Sequence, residues 1–304
     1  MKSFIIKLFF SLLLLLFFFK LNNIKIEVIK ETFRFDVYLI TVSFLLLLLS
    51  LFFLFIRNLI LTNYFTKQNF NLRLIFFYLK SLVLSNLGFS GGGDIYRVFL
   101  RKKINISFVD LSSIIFFERG TSFLSIIFLL FIFSGFNFIY LFLAFFLFYI
   151  IFVDKKILVY LFKVPYINIF NNRLNYFLFN RNIILKKIFL KVFIISCIIQ
   201  LISIFFSYSF FLFFYINISF YKFAFIVLVI NMILTIPNFT ISGFGLRENL
   251  YLYLLPVSLD KHIVSQSSLY QSIFLILFWI IIFLVTLTLQ MKYPTKNQKK
   301  VYSK

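Results

Sequence analysis

The chain has 304 residues, 62% of them hydrophobic and 23% aromatic, with 52 Phe against 8 Gly and 4 Pro. Soluble globular chains hold about 45–50% apolar residues, which excludes a water-soluble enzyme or a secreted module. Lys and Arg outnumber Asp and Glu by 31 to 9, a formal charge of +22, yet the stretches between these charges suffice to cross a bilayer at about 20 residues each, so the bases read as membrane anchors and not as a nucleic-acid footprint.

Apolar runs fall at residues 4–19, 37–56, 74–90, 114–134, 136–153, 188–216, 222–241 and 268–290. In hydrocarbon the backbone must satisfy its own hydrogen bonds, which leaves helices or a closed barrel. Unbroken runs such as SFLLLLLSLFFLF at 43–55 lack the two-residue alternation of a barrel. The expectation is an all-α polytopic transmembrane bundle of about eight spans, forming one integral membrane domain over 1–304. The first run follows Lys2 in the manner of a signal peptide, but no small-residue cleavage site comes after it, so it reads as a retained helix.

Lys and Arg are held on the cytoplasmic side of a membrane, and this orients the chain. Residues 154–191 carry eight bases against Asp154, a net +7, and the tail from Lys292 to Lys304 holds five more, whereas the stretch 20–36 nets +1. Both termini and the 154–191 loop are expected in the cytoplasm, in a plasma membrane. The aromatic and basic residues interleaved in that loop suit an amphipathic stretch on anionic headgroups. With this orientation, an odd number of apolar runs separates successive cytoplasmic segments. The count becomes even if two Gly-rich, charged segments, 91–110 and 242–261, each make a partial or complete crossing as a broken helix.

The first segment, SGGGDIYRVFLRKK, places Gly92 and Gly93 before a helix that opens with Asp94 and Arg97, with Arg101 one turn on. Backbone exposed at such glycines must face protein or a wet cavity. The second, PNFTISGFGLREN, runs from Pro237 through Gly243 and Gly245 to Arg247 and Glu248. Breaks in corresponding halves are what secondary transporters use to build a midplane site. Three of the nine acids, Asp94, Glu118 and Glu248, lie at these breaks or in the apolar run that follows the first, where a charge is costly unless paired, wet or functional. Glu118–Arg119 and Arg247–Glu248 read as acid–base pairs lining a polar cavity, or as residues that orient helix ends. His262 reads as ordinary surface and Trp279 as packing. With one Cys, Cys197, and one His, the chain offers no disulfide and no zinc motif, and no cofactor or metal is expected.

At these residues the chain resembles a flippase-like family of integral membrane proteins that includes the membrane region of lysylphosphatidylglycerol synthases. The first family motif, spaced glycines and an arginine followed by a Glu-Arg pair, is carried by Gly92, Gly93, Asp94, Arg97, Glu118 and Arg119. The second is carried by Pro237, Gly243, Gly245, Arg247 and Glu248. The chain departs from the pattern at Leu87 to Ser90, where a proline is missing, near Ser122, where an acid is missing, and at Tyr270 and Gln271, where a base is missing. The resemblance implies handling of charged or glycosylated lipids between leaflets.

The sequence accordingly points to translocation of an anionic phospholipid or a lipid-linked glycan intermediate. Asp94, Arg97, Arg101, Glu118, Arg119, Arg247 and Glu248 are the candidate substrate-binding residues. The arginines would offer guanidinium forks to a phosphate, with Glu118 and Glu248 as the resting counter-charges of Arg97 and Arg247. No GxxxxGK[ST] motif is present, so an ion gradient, a partner or lipid asymmetry would supply the energy. Envelope-biosynthesis enzymes are candidate partners, and nucleic acid is not. Two rival readings stand beside this one: a membrane-embedded transferase using Asp94 or Glu248 on a lipid-linked substrate, and a scaffold in envelope lipid or polysaccharide biogenesis.

Overall fold

A computed structural model describes residues 20, 36–66, 72–87, 92–100, 106–144, 188–235, 242–256 and 258–292. Its main helices, in chain order, are α1 Val37–Thr66, α2 Leu72–Leu87, α3 Gly92–Leu100, α4 Phe108–Phe133, α5 Phe189–Phe213, α6 Phe220–Thr235, α7 Leu246–Leu254 and α8 Lys261–Lys292, and residues 138–144 are helical as well. No strand occurs among the described residues, so the all-α bundle expected from the unbroken apolar runs is the architecture found.

Local chemistry sets several of the helix ends. The Asp36 carboxylate accepts from the amides of Tyr38 and Leu39 at 2.7 and 3.1 Å and so opens α1. The Ser107 hydroxyl accepts from the Asp110 amide at 3.0 Å and opens α4. Both satisfy amides that the first helical turn leaves without a carbonyl.

Among the described residues, four helices are long and apolar enough to cross a membrane: α1, residues Asp110–Phe133 of α4, α5, and residues Lys261–Thr288 of α8. The expectation of about eight spans is corrected to these four. Helices α2 and α6 have 16 residues each and rise only about 24 Å at 1.5 Å per residue, less than the core thickness of about 30 Å. The broken-helix segments contribute α3 and α7, of nine residues each, which rise about 13 Å. Outside the described residues lie the run at 4–19, the second half of 136–153, most of the basic loop 154–191 and the tail beyond Lys292.

Helix α5 is the central pillar, packed against α1, α4, α6 and α8. It runs antiparallel to α1, since Ser43 meets Ser209 at 3.5 Å while Arg57, fourteen residues along α1, reaches Ser196. The main core gathers Phe206, Phe210 and Phe211 of α5, Phe223 and Val227 of α6, and Ile126 and Leu130 of α4. A smaller cluster of Val83, Phe278 and Trp279 joins α2 to α8, so Trp279 does pack. His262 is exposed. Leu45, Leu49 and Phe52 on α1 and Leu277, Leu284 and Val285 on α8 point outward and are exposed. Apolar faces of that extent suit lipid and not water. The chain is an integral membrane protein.

Candidate functional site

The described part of the first broken segment is a short helix pressed hard against its predecessor. A Cβ added at Gly93 would overlap the Ser81 carbonyl oxygen and the Ser85 hydroxyl of α2, so only glycine lets α3 lie this close. Gly93→Ala is expected to lower stability by about 1–3 kcal/mol, the usual cost of forcing volume into a packed contact. Thermal unfolding in detergent measures it, and an unchanged midpoint would mean that α3 has no fixed seat on α2.

That seat aims Arg97, one turn after Gly93, into the bundle. The residue is 4% exposed, and its guanidinium reaches Glu118 Oε2 at 2.6 Å and stands over the Tyr78 ring with Cζ 5.1 Å from the centroid. Asn58 of α1 donates to the other oxygen of Glu118 at 2.9 Å. Beside it, Arg57 is buried and donates to the hydroxyls of Ser122 and Ser196. Asp94 lies 3.6 Å from Arg97 and accepts from Arg119 Nε and Nη2 at 3.1 and 2.8 Å. The expected Glu118–Arg119 pair is therefore replaced by two crossed ones. Adjacent helical residues point about 100° apart and do not face one another, so Glu118 turns inward to Arg97 while Arg119 turns outward to Asp94.

In the second broken segment the chain turns through Ser242, Gly243 and Gly245 at φ of 51°, 79° and 84°, left-handed backbone that glycine adopts freely. Helix α7 then starts at Leu246, with the Gly245 amide donating to Glu248 Oε2 at 2.6 Å. Tyr251 anchors this helix between Phe211 of α5 and Phe223 of α6, with ring centroids 4.8 and 6.1 Å away. The anchor holds Glu248, one turn earlier, against Ser272 of α8. Here too the expected acid–base pair is absent: among the described residues no ion pair joins Arg247 to Glu248. Glu248 is fully buried. Arg247 Nη1, Glu248 Oε1, Gln271 Oε1 and Ser267 Oγ are buried without a hydrogen bond in the protein. The Ser272 hydroxyl faces the Glu248 carboxylate without reaching good hydrogen-bond geometry.

The two breaks meet. The amide and the hydroxyl of Ser242 both donate to the Asn86 carbonyl at the end of α2, at 2.9 and 3.1 Å. Ser196, Gln200, Ser203 and Ser207 recur along α5 at helical spacing and so share one face. Ser196 accepts from Arg57, Asn231 donates to Gln200 and Ser203, and Gln271 donates to Ser207 at 2.8 Å. This polar face joins the two charged sites over about 16 Å of helix at 1.5 Å per residue.

The model of a family described as the lysylphosphatidylglycerol synthase transmembrane region matches residues 4–261. The chain belongs to that family. Neither a search of curated proteins nor one of solved structures finds a match. For this lysylphosphatidylglycerol synthase-type membrane region, the sequence motifs supplied Asp94, Arg97, Glu118, Arg119, Arg247 and Glu248, all placed at the two sites. Arg101 and Pro237 lie outside the described residues. Motif reading missed Arg57, Asn58, Tyr78 and Gln271. Arg57 reads in the sequence as a base flanking a loop, and Gln271 lies past the matched region. The available signal was polar residues inside apolar runs, each at the helical register of a neighbour.

Proposed function

We propose that the protein translocates an anionic phospholipid or a lipid-linked glycan intermediate, its headgroup held by the arginines that follow the two glycine breaks. Family membership supports a flippase-like, lipid-handling protein. The observation that carries the finer reading is Nη1 of Arg247, buried and without an acceptor although the residue is half-buried, in a bundle where Arg97, the buried arginine after the first break, is engaged by a carboxylate. A phosphate oxygen is the acceptor that a planar guanidinium suits best. The first site, with Arg97 closed onto Glu118, then represents a charge cluster satisfied by its own residues, and the second represents one ready to receive an anion. The whole chain acts as one integral membrane domain.

The test is a leaflet-resolved assay with the purified chain in vesicles and a panel of anionic, zwitterionic and glycosylated lipids. Faster exchange of anionic or glycosylated lipids than in protein-free vesicles is the expected result. Equal rates across the whole panel would remove the reading.

We also propose that both termini and the 154–191 loop face the cytoplasm, on the strength of their net charge. Single cysteines at Asn172 and Lys299, in a Cys197→Ser background, are expected to stay unlabelled by an impermeant thiol reagent in intact cells. Labelling at either position overturns this orientation.

A further inference from the structure

The two buried acids among the described residues, Glu118 and Glu248, sit in opposite electrostatic surroundings. Glu118 has the Arg97 guanidinium at 2.6 Å, the Asn58 amide at 2.9 Å and Arg57 close by. Glu248 has no cation in ion-pair contact, one backbone amide on Oε2 and nothing on Oε1. The groups facing it can be followed element by element. Its own helix offers Arg247 and Tyr251. Helix α8 offers Ser272, with Gln271 placed against Tyr251. Helices α5 and α6 offer Ser207, Phe211 and Phe223 around Tyr251. The described side chains of α5, α6 and α8 that carry charge or titrate near neutrality, Lys191, Lys222, Lys261 and His262, are all exposed at helix starts.

A carboxylate taken out of water without a cation or a set of donors is unstable as an anion. A proton removes that charge and also turns Oε1 into a donor, with the Ser272 hydroxyl, itself without a hydrogen bond, facing the carboxyl group. One proton thus cancels the buried charge and gives Oε1 a hydrogen bond to make.

We propose that Glu248 is a proton-binding site whose occupancy is linked to the anion bound at Arg247, an inference that rests on the headgroup reading above. The sign of the linkage follows from charge. An anion beside Arg247 places negative charge near Glu248, which favours its neutral form. By reciprocity the proton raises the affinity for the anion. Proton and headgroup then bind together and travel together, the proton entering from water on one side and returning to water on the other.

Two measurements test this, the first independent of any lipid movement. Infrared difference spectra of the full chain in phosphatidylcholine nanodiscs, taken across neutral pH, should show a carboxylic-acid carbonyl band that Glu248→Gln abolishes. Ser272→Ala, which removes the hydroxyl facing the carboxyl group, should shift the band and so assigns it even if Glu248→Gln fails to fold. The absence of a band, or its persistence unchanged in both variants, overturns the proposal. In the second, vesicles containing phosphatidylglycerol are given a pH gradient. Wild-type movement should run several-fold faster toward the alkaline side, and whatever rate Glu248→Gln retains should ignore the gradient. Wild-type movement indifferent to the gradient rejects the linkage and leaves the lipid reading standing. A band with no lipid movement keeps the proton site and rejects the lipid reading.

Discussion

Replacing Arg97 by alanine is expected to cost about 3–5 kcal/mol of folding stability, the range for removing one partner of a buried ion pair. The reason lies in what the substitution leaves behind. Glu118, 5% exposed, would keep one hydrogen bond, from the Asn58 amide, with Arg57 nearby but not in ion-pair contact, and would face the Tyr78 ring where the guanidinium had been. Arg119→Ala removes a guanidinium as well, but its side chain is 52% exposed and its partner Asp94 25% exposed, so water can replace the lost contacts and the expected cost is about 0.2–1 kcal/mol. Replacing both partners, as Arg97→Met with Glu118→Leu, should return most of the lost stability, because no charge is then stranded in the core. Denaturation of the purified variants in one detergent gives the comparison. An Arg97→Ala protein no less stable than Arg119→Ala would show that water reaches Glu118 and that the site is not a closed ion pair.

The contrast between these two arginines also marks how far the sequence could be read. Glycine and charge stand out in a chain this apolar, so the breaks, and the helices beginning near Gly93 and just after Gly245, were visible as composition. Partnership was legible only in part: of the counter-charges read for Arg97 and Arg247, Glu118 does pair with Arg97, while among the described residues no ion pair joins Glu248 to Arg247. Glu118 and Arg119 adjoin in sequence and invite pairing, yet the helix sends them to different sides, and the true partner of Glu118 lies 21 residues away on another helix. Arg57 and Asn58 carry no motif and enter the site only because α1 lies along α4 and α5. Span number failed for a related reason. Hydropathy measures how apolar a run is, not how long a helix it forms. Runs at 74–90 and 222–241 are apolar enough to span, while the helices among the described residues there, Leu72–Leu87 and Phe220–Thr235, have 16 residues each.

Arg247 is where loss of function and loss of stability should separate. Its Nη1 makes no hydrogen bond in the folded protein, and no ion pair with Glu248 holds it. Removing a buried donor that lacks a partner is close to neutral for folding, so Arg247→Ala should unfold within a few degrees of the wild type. Transport of an anionic lipid should fall much further. A hydrogen bond to a charged group contributes about 1.5–3 kcal/mol, which corresponds to a loss of roughly 10- to 150-fold when each 1.4 kcal/mol is a factor of ten. Arg247→Lys should recover only part of the loss, since an ammonium keeps the charge but not the two-pronged donor geometry. Adding Glu248→Gln to Arg247→Ala should not restore transport, because the two side chains are not each other's partners. The decisive quantity is transport per folded protein for Arg247→Ala, Arg247→Lys and the double variant. If Arg247→Ala unfolds as readily as Arg97→Ala, or if the double variant regains stability and transport in equal measure, then Arg247 acts as a structural counter-charge and the headgroup assignment fails.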